Sequence, residues 1–447
     1  MRVRGFRFSK TLVSRRLIAQ TLLLFALALL GSCQARGPGD GGFLQVFGRG
    51  SGLICYVAPN GNIAVIDQRG GAPRSLTSGA GPHGGNTVYY VAPTWSPNAK
   101  RIAFAQITLS GSSSLVDASL MAADASGGRT EQLLSGTRVQ PFYLFWSPDS
   151  RAISLLSQVQ GEDALELGIA LAGSVGSYRG VDRGAPYYWD WLKNSQGIVV
   201  HTNIGRTGER GERLSLLHVA VGPPRADLPV EAGLFQAPAV SPDGRSFAYV
   251  TSGTDGFVLH ARSLESSAER VLARDLGGAF FSFSPDGKRI GYLAARISQP
   301  VPLGKLTIVD VKGSIAAQTI EQQPVLGFFW SPDGRNLAYL VPAAEGDLDP
   351  LFLGEPGHLS LQLMGCNAAT GKTWPIARFP LSPGMLSVLP FFDQYQRSSS
   401  IWSPDSRNIV FTALSADGRP GVYVVPADGS IKPRFLTFGD FAYWSPK

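Results

Sequence analysis

The chain repeats a pattern in which an aromatic residue precedes a short polar turn and then an alternating apolar strand. The copy that begins at Gly327 reads GFFWSPDGRNLAYL, and similar copies begin at Ala92, Tyr143, Ala237 and Ser399. Pro fixes φ near −65° in the turn, Asp suits the next position, and Gly closes the turn where φ can be positive. Two strands joined by such a turn form a β-hairpin. The pattern therefore predicts a series of hairpins.

Aligning the copies on the residue before the turn produces a nearly uniform column. It contains six of the eight tryptophans in the chain. Its members are Trp95, Trp146, Trp191, Val240, Phe283, Trp330, Trp402 and Trp444. They lie 42 to 51 residues apart, with one interval of 72, and a period in the forties is typical of a four-stranded propeller blade. We expect these side chains to lie on the innermost strand and to pack between blades.

The repeat predicts an all-β fold, a single β-propeller of about eight four-stranded blades with strands a to d from the axis outward. Residues 52–77 supply strands b, c and d without a strand a, and the C-terminal FAYWS supplies a strand a alone. Pairing these ends would close the ring and remove both sheet edges. Seven blades is the alternative, if the degenerate region 176–192 is misread.

The first 33 residues have the pattern of an export signal. Basic residues precede an apolar run at 17–30, and this run is short for a bilayer span, which needs about 20 residues. It ends in Leu30-Gly31-Ser32-Cys33, which resembles a bacterial lipobox. We therefore predict a signal peptide at 1–32, a lipidated Cys33 with a flexible tether to residue 42, and a propeller at 43–447. The alternatives are an uncleaved membrane anchor and a plain secretory signal.

Composition supports short strands joined by tight turns, because the chain has 53 Gly, 31 Pro and only 16% charged residues. The formal net charge of +7 comes mainly from six basic residues before Cys33. The remainder is close to neutral, which gives it no global reason to bind nucleic acid. Of the other two cysteines, Cys55 and Cys366, we expect free buried thiols, and a disulfide is the alternative.

The repeats resemble those of TolB-type proteins, whose recurring phrase is W-S-P-D-G followed by a strand similar to Ile-Ala-Phe. The resemblance covers roughly residues 50–447, and the phrase is clearest at Trp146, Trp330 and Trp402. It implies a propeller fold but no single function, since such repeats occur in envelope adaptors, enzyme-associated propellers and lipoproteins. The chain departs from TolB itself in its lipobox, in lacking room for an N-terminal α/β domain, and in having more than six blades.

Catalytic and metal-binding patterns are scarce. The sequence has no G-x-S-x-G nucleophile elbow, and none of its five histidines has H-E-x-x-H spacing. His201, His218 and His260 lie in apolar strands, which indicates a structural role. Three acids could supply calcium ligands, although a solvated loop is the favoured interpretation: Glu345, Asp347 and Asp349. Five aspartates at one place in the repeat are expected to shape turns: Asp149, Asp243, Asp286, Asp333 and Asp405.

The interval of 72 residues points to a candidate binding loop. In propellers, the b–c and d–a connections open on the same face, so residues 341–357 and 381–397 are expected there together. The second segment carries Met and aromatic side chains, which are enriched in interface cores. The predicted partner-binding residues are Met385, Leu386, Leu389, Phe391, Phe392 and Tyr395. The alternative is that Phe391 and Phe392 simply begin the next strand a.

These features predict an exported lipoprotein of the cell envelope that acts as a binding scaffold for an unidentified envelope protein or peptide. No enzyme activity and no cofactor are expected, apart from the calcium alternative. A propeller enzyme or a ligand sensor acting on glycans or small molecules is the competing hypothesis. The axial funnel discriminates between them, because clustered acids and histidines with a metal favour an enzyme and an apolar rim favours a partner.

Overall fold

The computed structural model describes residues 52–204, 210–219, 226–230, 233, 236–295, 303–313, 316–343 and 360–447. Cys33, its tether and the three candidate calcium ligands lie outside these residues. Contacts divide the chain into Met1–Gly42 and Phe43–Lys447, and all described residues belong to the second unit.

Eight antiparallel sheets form the propeller, and the strands are numbered along the chain. Blade 1 contains β1 (Leu53–Val57), β2 (Ile63–Asp67), β3 (Arg74–Ser75) and β32 (Asp440–Trp444). Blade 2 contains β4 (Gly81–His83), β5 (Asn86–Trp95), β6 (Arg101–Ser110), β7 (Leu115–Asp124) and β8 (Thr130–Leu134). Blade 3 contains β9 (Val139–Trp146), β10 (Ala152–Val159), β11 (Leu165–Leu171) and β12 (Arg179–Gly184). Blade 4 contains β13 (Tyr187–Trp191), β14 (Gly197–Ile204), β15 (Arg210–His218) and β16 (Ala226–Asp227).

The remaining blades follow the same order. Blade 5 contains β17 (Ala239–Val240), β18 (Ser246–Ser252), β19 (Phe257–Ser263) and β20 (Glu269–Leu276). Blade 6 contains β21 (Ala279–Phe283), β22 (Arg289–Ala295), β23 (Gly304–Asp310) and β24 (Gln318–Val325). Blade 7 contains β25 (Gly327–Trp330), β26 (Asn336–Pro342), β27 (Ser360–Asn367) and β28 (Thr373–Pro380). Blade 8 contains β29 (Asn408–Leu414), β30 (Pro420–Pro426) and β31 (Arg434–Phe438).

The ring closes as the sequence predicts. The C-terminal strand β32 is strand a of blade 1 and pairs with β1, with Ile54 opposite Trp444. The degenerate region divides between two sheets, because β12 belongs to blade 3 and β13 belongs to blade 4. The prediction of eight blades is therefore confirmed over the alternative of seven. In blade 8 the inner strand is reduced to isolated bridges at Ser400 and Trp402.

The repeat turn is held by its serine and aspartate. In blade 3, the Ser147 hydroxyl donates to Asp149 Oδ1 at 2.6 Å, and the same oxygen accepts the Arg151 amide at 3.0 Å. The other four aspartates accept the corresponding serine hydroxyl, also at 2.6 Å. These aspartates shape turns, as expected. The following residue has positive φ, whether it is Gly244 or Ser150.

The column tryptophans join neighbouring blades. Trp146 is 2% exposed, and its indole Nε1 donates to the carbonyl of Thr94 in blade 2 at 3.1 Å. Trp95 and Trp402 donate in the same way to Tyr443 and Phe329 of the preceding blade, each at 3.1 Å. The predicted packing between blades is thus observed, together with a hydrogen bond that the sequence pattern does not reveal.

Each propeller face is defined by its connections. The turn face carries the a–b and c–d connections, and the loop face carries the b–c and d–a connections. The described chain begins at Gly52 on the turn face, where a Cβ on this residue would clash with Ser445 Oγ. Both cysteines in the described residues, Cys55 and Cys366, are buried free thiols, and burial raises the pKa of Cys366 to about 12. No helix in the described part of the chain is long and apolar enough to cross a membrane.

Candidate functional site

A helical plug fills the axis of the propeller. It consists of α1 (Pro383–Val388), a 3-10 turn (Leu389–Phe391) and α2 (Phe392–Ser398). Ser382 caps α1 by accepting the Met385 amide, and proline at the first turn is compatible with helix initiation. The alternative that Phe391 and Phe392 begin strand a is therefore wrong, because both lie in helical turns.

The entry to the plug is fixed at the loop face. Leu381 bridges Ala413, near the end of β29. The carboxylate of Asp440 accepts the Ser382 hydroxyl at 2.7 Å and the Gly384 amide at 2.8 Å. Burial raises the pKa of Asp440, and these hydrogen bonds oppose that shift. The carboxylate of Asp440, the first residue of β32, thus fixes the start of α1.

The apolar side of the plug packs against the inner strands. Phe392 is 1% exposed and makes an edge contact with Phe328, with the ring centroids 5.3 Å apart. Leu389 is also buried, and a Cβ on Gly327 would lie 3.3 Å from it. This close approach explains why glycine begins β25. Beside Leu389, a cavity of about 40 Å³ remains between the plug and blades 7, 8 and 1.

The polar side of the plug reaches the opposite blades. Tyr143 of blade 3 donates to the Gln394 carbonyl at 3.0 Å, and Thr94 of blade 2 donates to the Ser398 carbonyl at 2.5 Å. Arg397 Nη1 lies 3.3 Å from Asp190 Oδ2 of blade 4, and it donates to a carbonyl that precedes β17 of blade 5 at 2.5 Å. The plug therefore touches blades all around the ring.

Among the described residues, the carboxylate of Asp393 has no cation as close to it as Arg397 is to Asp190. Asp393 in the first turn of α2 is 3% exposed, and its burial raises the pKa to about 6, although Arg397 opposes the shift. Asp190, the partner of Arg397, also has a pKa raised by burial. Two acids thus share one guanidinium in a dry environment, which destabilises their charged forms.

Replacing Asp393 by Asn is expected to stabilise the fold at neutral pH by about 2–3 kcal/mol. The native pKa lies above that of the unfolded chain, so the native state binds the proton more tightly. Asp393 therefore favours folding below pH 3.8 and loses this advantage as the pH rises through about 6. Urea unfolding at pH 7.5 and pH 4 checks this, with a large difference at the first pH and almost none at the second. Destabilisation by Asp393→Asn at both pH values would contradict it.

The structure separates the predicted partner-binding residues into two groups. Leu386 and Phe391 are 45% and 39% exposed, and they rank among the few exposed large apolar side chains of the described residues. Leu389 and Phe392 are buried, and Met385 and Tyr395 are half-buried. The exposed pair lies at the mouth of the axis on the loop face, because α1 begins beside Asp440 and Phe392 packs at the start of β25.

Sequence reasoning missed the polar residues of the plug. The sequence pattern does not predict a role for Arg397, Asp393 or Asp190. The first two follow a run of apolar residues in the long interval. The helical plug could have been predicted from the spacing of Met385, Leu389 and Phe392, which is the i, i+4, i+7 pattern of a buried helix face. Pro390 in the middle of that spacing hid the pattern.

A second polar cluster lies within blade 5. His260 Nε2 lies 2.8 Å from Thr251 Oγ1, and its Nδ1 lies 2.8 Å from Glu269 Oε1. Tyr249 stacks on the imidazole ring and donates to the same carboxylate. Burial lowers the pKa of His260. These contacts join strands b, c and d of one blade, which agrees with a structural role for His260.

The other predicted site residues form no catalytic or metal-binding cluster in the described part of the chain. His201 is 2% exposed, and burial lowers its pKa to about 4. In the described residues, no group of three or more His, Cys, Asp or Glu side chains could hold a metal ion. The candidate calcium ligands Glu345, Asp347 and Asp349 lie outside the described residues. Of the predicted b–c loop 341–357, Val341 and Pro342 belong to β26, and residues 344–357 lie outside the described part of the chain.

Comparison with known proteins assigns the fold. No family model matches the sequence, and no curated protein matches it. A crystal structure of a eukaryotic initiation factor has a TM-score of 0.52 at 12% identity, covering 89% of this chain and 98% of that one. At this identity the likeness concerns the fold alone, and it places the chain in the class of β-propellers.

Two other solved structures match with lower scores. TolB from Acinetobacter baumannii has a TM-score of 0.38 at 15% identity, covering 81% of this chain and 83% of that one. An oligogalacturonate lyase in complex with manganese has a TM-score of 0.49 at 16% identity, covering 85% and 97%. The chain is a TolB-like eight-bladed propeller in its repeats and fold. At this identity these similarities concern the fold alone.

Proposed function

We propose that the protein is a lipoprotein of the cell envelope, anchored through Cys33, whose propeller binds a protein or peptide at its loop face. One observation carries the binding proposal: the chain's own plug fills the axis and presents Leu386 and Phe391 at the mouth. Apolar side chains exposed in a group mark interaction sites more often than scattered ones do. The sequence analysis expects an apolar rim around the axis if the protein binds a partner, and clustered acids and histidines if it is a metal-dependent enzyme. The exposed apolar pair therefore supports the binding of a partner.

Binding is tested with residues 43–447 as bait against detergent-solubilised envelope. We expect one protein to be enriched, and Leu386→Ser/Phe391→Ser to lose it while changing the free energy of unfolding by less than about 0.5 kcal/mol. Val116→Ser is the matched control, because Val116 is exposed to 41% at the loop-face end of β7. Point substitutions are preferable to deleting the loop, since deletion would also remove buried Leu389 and Phe392. Enrichment that survives the double substitution would move the site elsewhere.

The anchor is tested separately by growing an expressing bacterium with an alkynyl fatty acid. Label is expected on the full chain and is expected to be absent from Cys33→Ser. This result is independent of the pull-down, so the proposal of a lipid anchor and the proposal of a binding face can be contradicted separately.

An axial enzyme or ligand sensor remains the second hypothesis. In this arrangement, a glycan or small molecule at the axis would have to displace the plug, together with its contacts to Asp190, Asp440 and Tyr143. Ligand binding would then change the environment of Tyr395, which a fluorescence titration with candidate glycans can detect.

A further inference from the structure

The turn face carries a basic side chain in every blade. Seven of them lie in the connection between strands a and b, and the eighth, Lys447, follows strand a of blade 1. All eight are exposed: Lys100, Arg151, Lys193, Arg245, Lys288, Arg335, Arg407 and Lys447. Among these eight, Arg335 alone has a described carboxylate within 4.0 Å, that of Asp333. Because the inner strands surround the axis, these cations form a ring around the end of the axis opposite the plug entry.

The positive charge is least balanced over blades 2 to 4. The turns of blades 2 and 4 carry Lys100 and Lys193, and in each of them asparagine stands where most copies have aspartate. On the same face, the c–d hairpin of blade 2 adds Arg129, which is 64% exposed although it pairs with Glu131. On the loop face, the described connections 160–164 and 253–256 carry acids and no basic residue. Two other loop-face connections carry Arg138 and Arg419, and each of these lies within 4.0 Å of a carboxylate, that of Glu162 or Asp417.

An apolar hairpin lies within this basic arc. The c–d connection of blade 3, residues 172–178, has no charged residue. Its Val175 is 70% exposed, more than any other large apolar side chain described, and the adjacent Leu171 is 51% exposed. Apolar side chains flanked by Lys and Arg are typical of segments that insert into the interface of a membrane.

The start of the described chain lies on the same face. Leu53 donates its amide to the hydroxyl of Ser445, the residue directly after β32, at 2.9 Å. The described chain therefore enters the propeller at its turn face.

We propose that the turn face over blades 1 to 4 docks on an anionic phospholipid surface, with Val175 and Leu171 in the headgroup region. Basic side chains near an anionic membrane add attraction that is screened by salt, and a basic patch strengthens a lipid anchor. This goes beyond binding a partner at the loop face, because it fixes the orientation of the protein. Leu386 and Phe391 then face away from the membrane.

Vesicle flotation tests the electrostatic part. Residues 43–447 contain all eight blades and the β1–β32 closure, so this fragment is used without the lipid. We expect it to float with vesicles of phosphatidylglycerol and phosphatidylcholine at low salt, and to lose this binding with phosphatidylcholine alone or at high salt. The triple variant Lys100→Glu/Arg151→Glu/Lys193→Glu is expected to bind about tenfold more weakly or worse. The matched control is Arg138→Glu/Arg274→Glu/Lys305→Glu on the loop face, which is expected to bind as the parent does.

A fluorescent probe tests the orientation without relying on charge variants. Since Cys55 and Cys366 are buried, an environment-sensitive dye can be attached to Val175→Cys, with Leu386→Cys as the matched position on the other face. We expect a blue shift with anionic vesicles at position 175 and no shift at position 386. The proposal is overturned if the parent does not float with anionic vesicles, if both triple variants bind equally, or if the dye shifts at position 386 alone. Binding of double-stranded DNA but not of vesicles would also overturn it.

Discussion

Replacing Trp146 by Ala is expected to lower the free energy of unfolding by about 3–5 kcal/mol. The indole is 2% exposed, fills the space between blades 2 and 3, and donates to the Thr94 carbonyl at 3.1 Å. Truncation removes buried apolar surface, leaves a cavity in a closed ring, and deprives a buried carbonyl of its partner. Urea unfolding followed by circular dichroism measures the change.

Two further substitutions distinguish the contribution of the Trp146 hydrogen bond from that of its buried apolar volume. Trp146→Phe keeps most of the apolar volume and removes the hydrogen bond, so we expect a loss of about 1–2 kcal/mol. Val240→Ala is the control, because Val240 is the half-buried member of the same column in blade 5, and its truncation is expected to cost about 1 kcal/mol or less. A loss below about 1 kcal/mol for Trp146→Ala would show that the column does not hold the blades together.

The ring can be predicted from the sequence because the blades repeat the same hairpin pattern of an aromatic residue, a polar turn and an apolar strand. The spacing of Trp95, Trp146 and Trp330 encodes the blade period, and the turn between strands a and b uses the same serine and aspartate in five copies. Closure was predictable because Leu53–Val57 lacks an inner partner and Asp440–Trp444 lacks outer ones. Local turn chemistry and periodicity therefore agree with the fold at every level.

The plug was not predictable because it occurs once. Its helices are short, Pro390 interrupts their apolar spacing, and their stability comes from the inner strands that surround them rather than from helix propensity. The partner of Arg397 is Asp190, which lies in another blade more than 200 positions earlier. A contact of this kind leaves no local pattern. The exposure of only Leu386 and Phe391 among the six predicted residues follows from the same packing.

Replacing Arg397 by Met is expected to lower the free energy of unfolding by about 3–5 kcal/mol at neutral pH. The guanidinium lies 3.3 Å from Asp190, and the two side chains are 11% and 10% exposed. Methionine preserves much of the volume, but Asp190 then remains buried without its cation. Because burial already raises the pKa of Asp190, lowering the pH should protonate it and reduce the loss.

The double variant Arg397→Met/Asp190→Asn identifies the cause. If the unpaired charge causes the loss, the second substitution should recover more than half of it, and the recovery should fade at low pH. Equal loss in the single and double variants would mean that Arg397 acts through the blade 5 carbonyl to which it also donates. In either case, the measurement tells whether an ion pair across the axis, rather than apolar packing alone, holds α2 between blades 4 and 5.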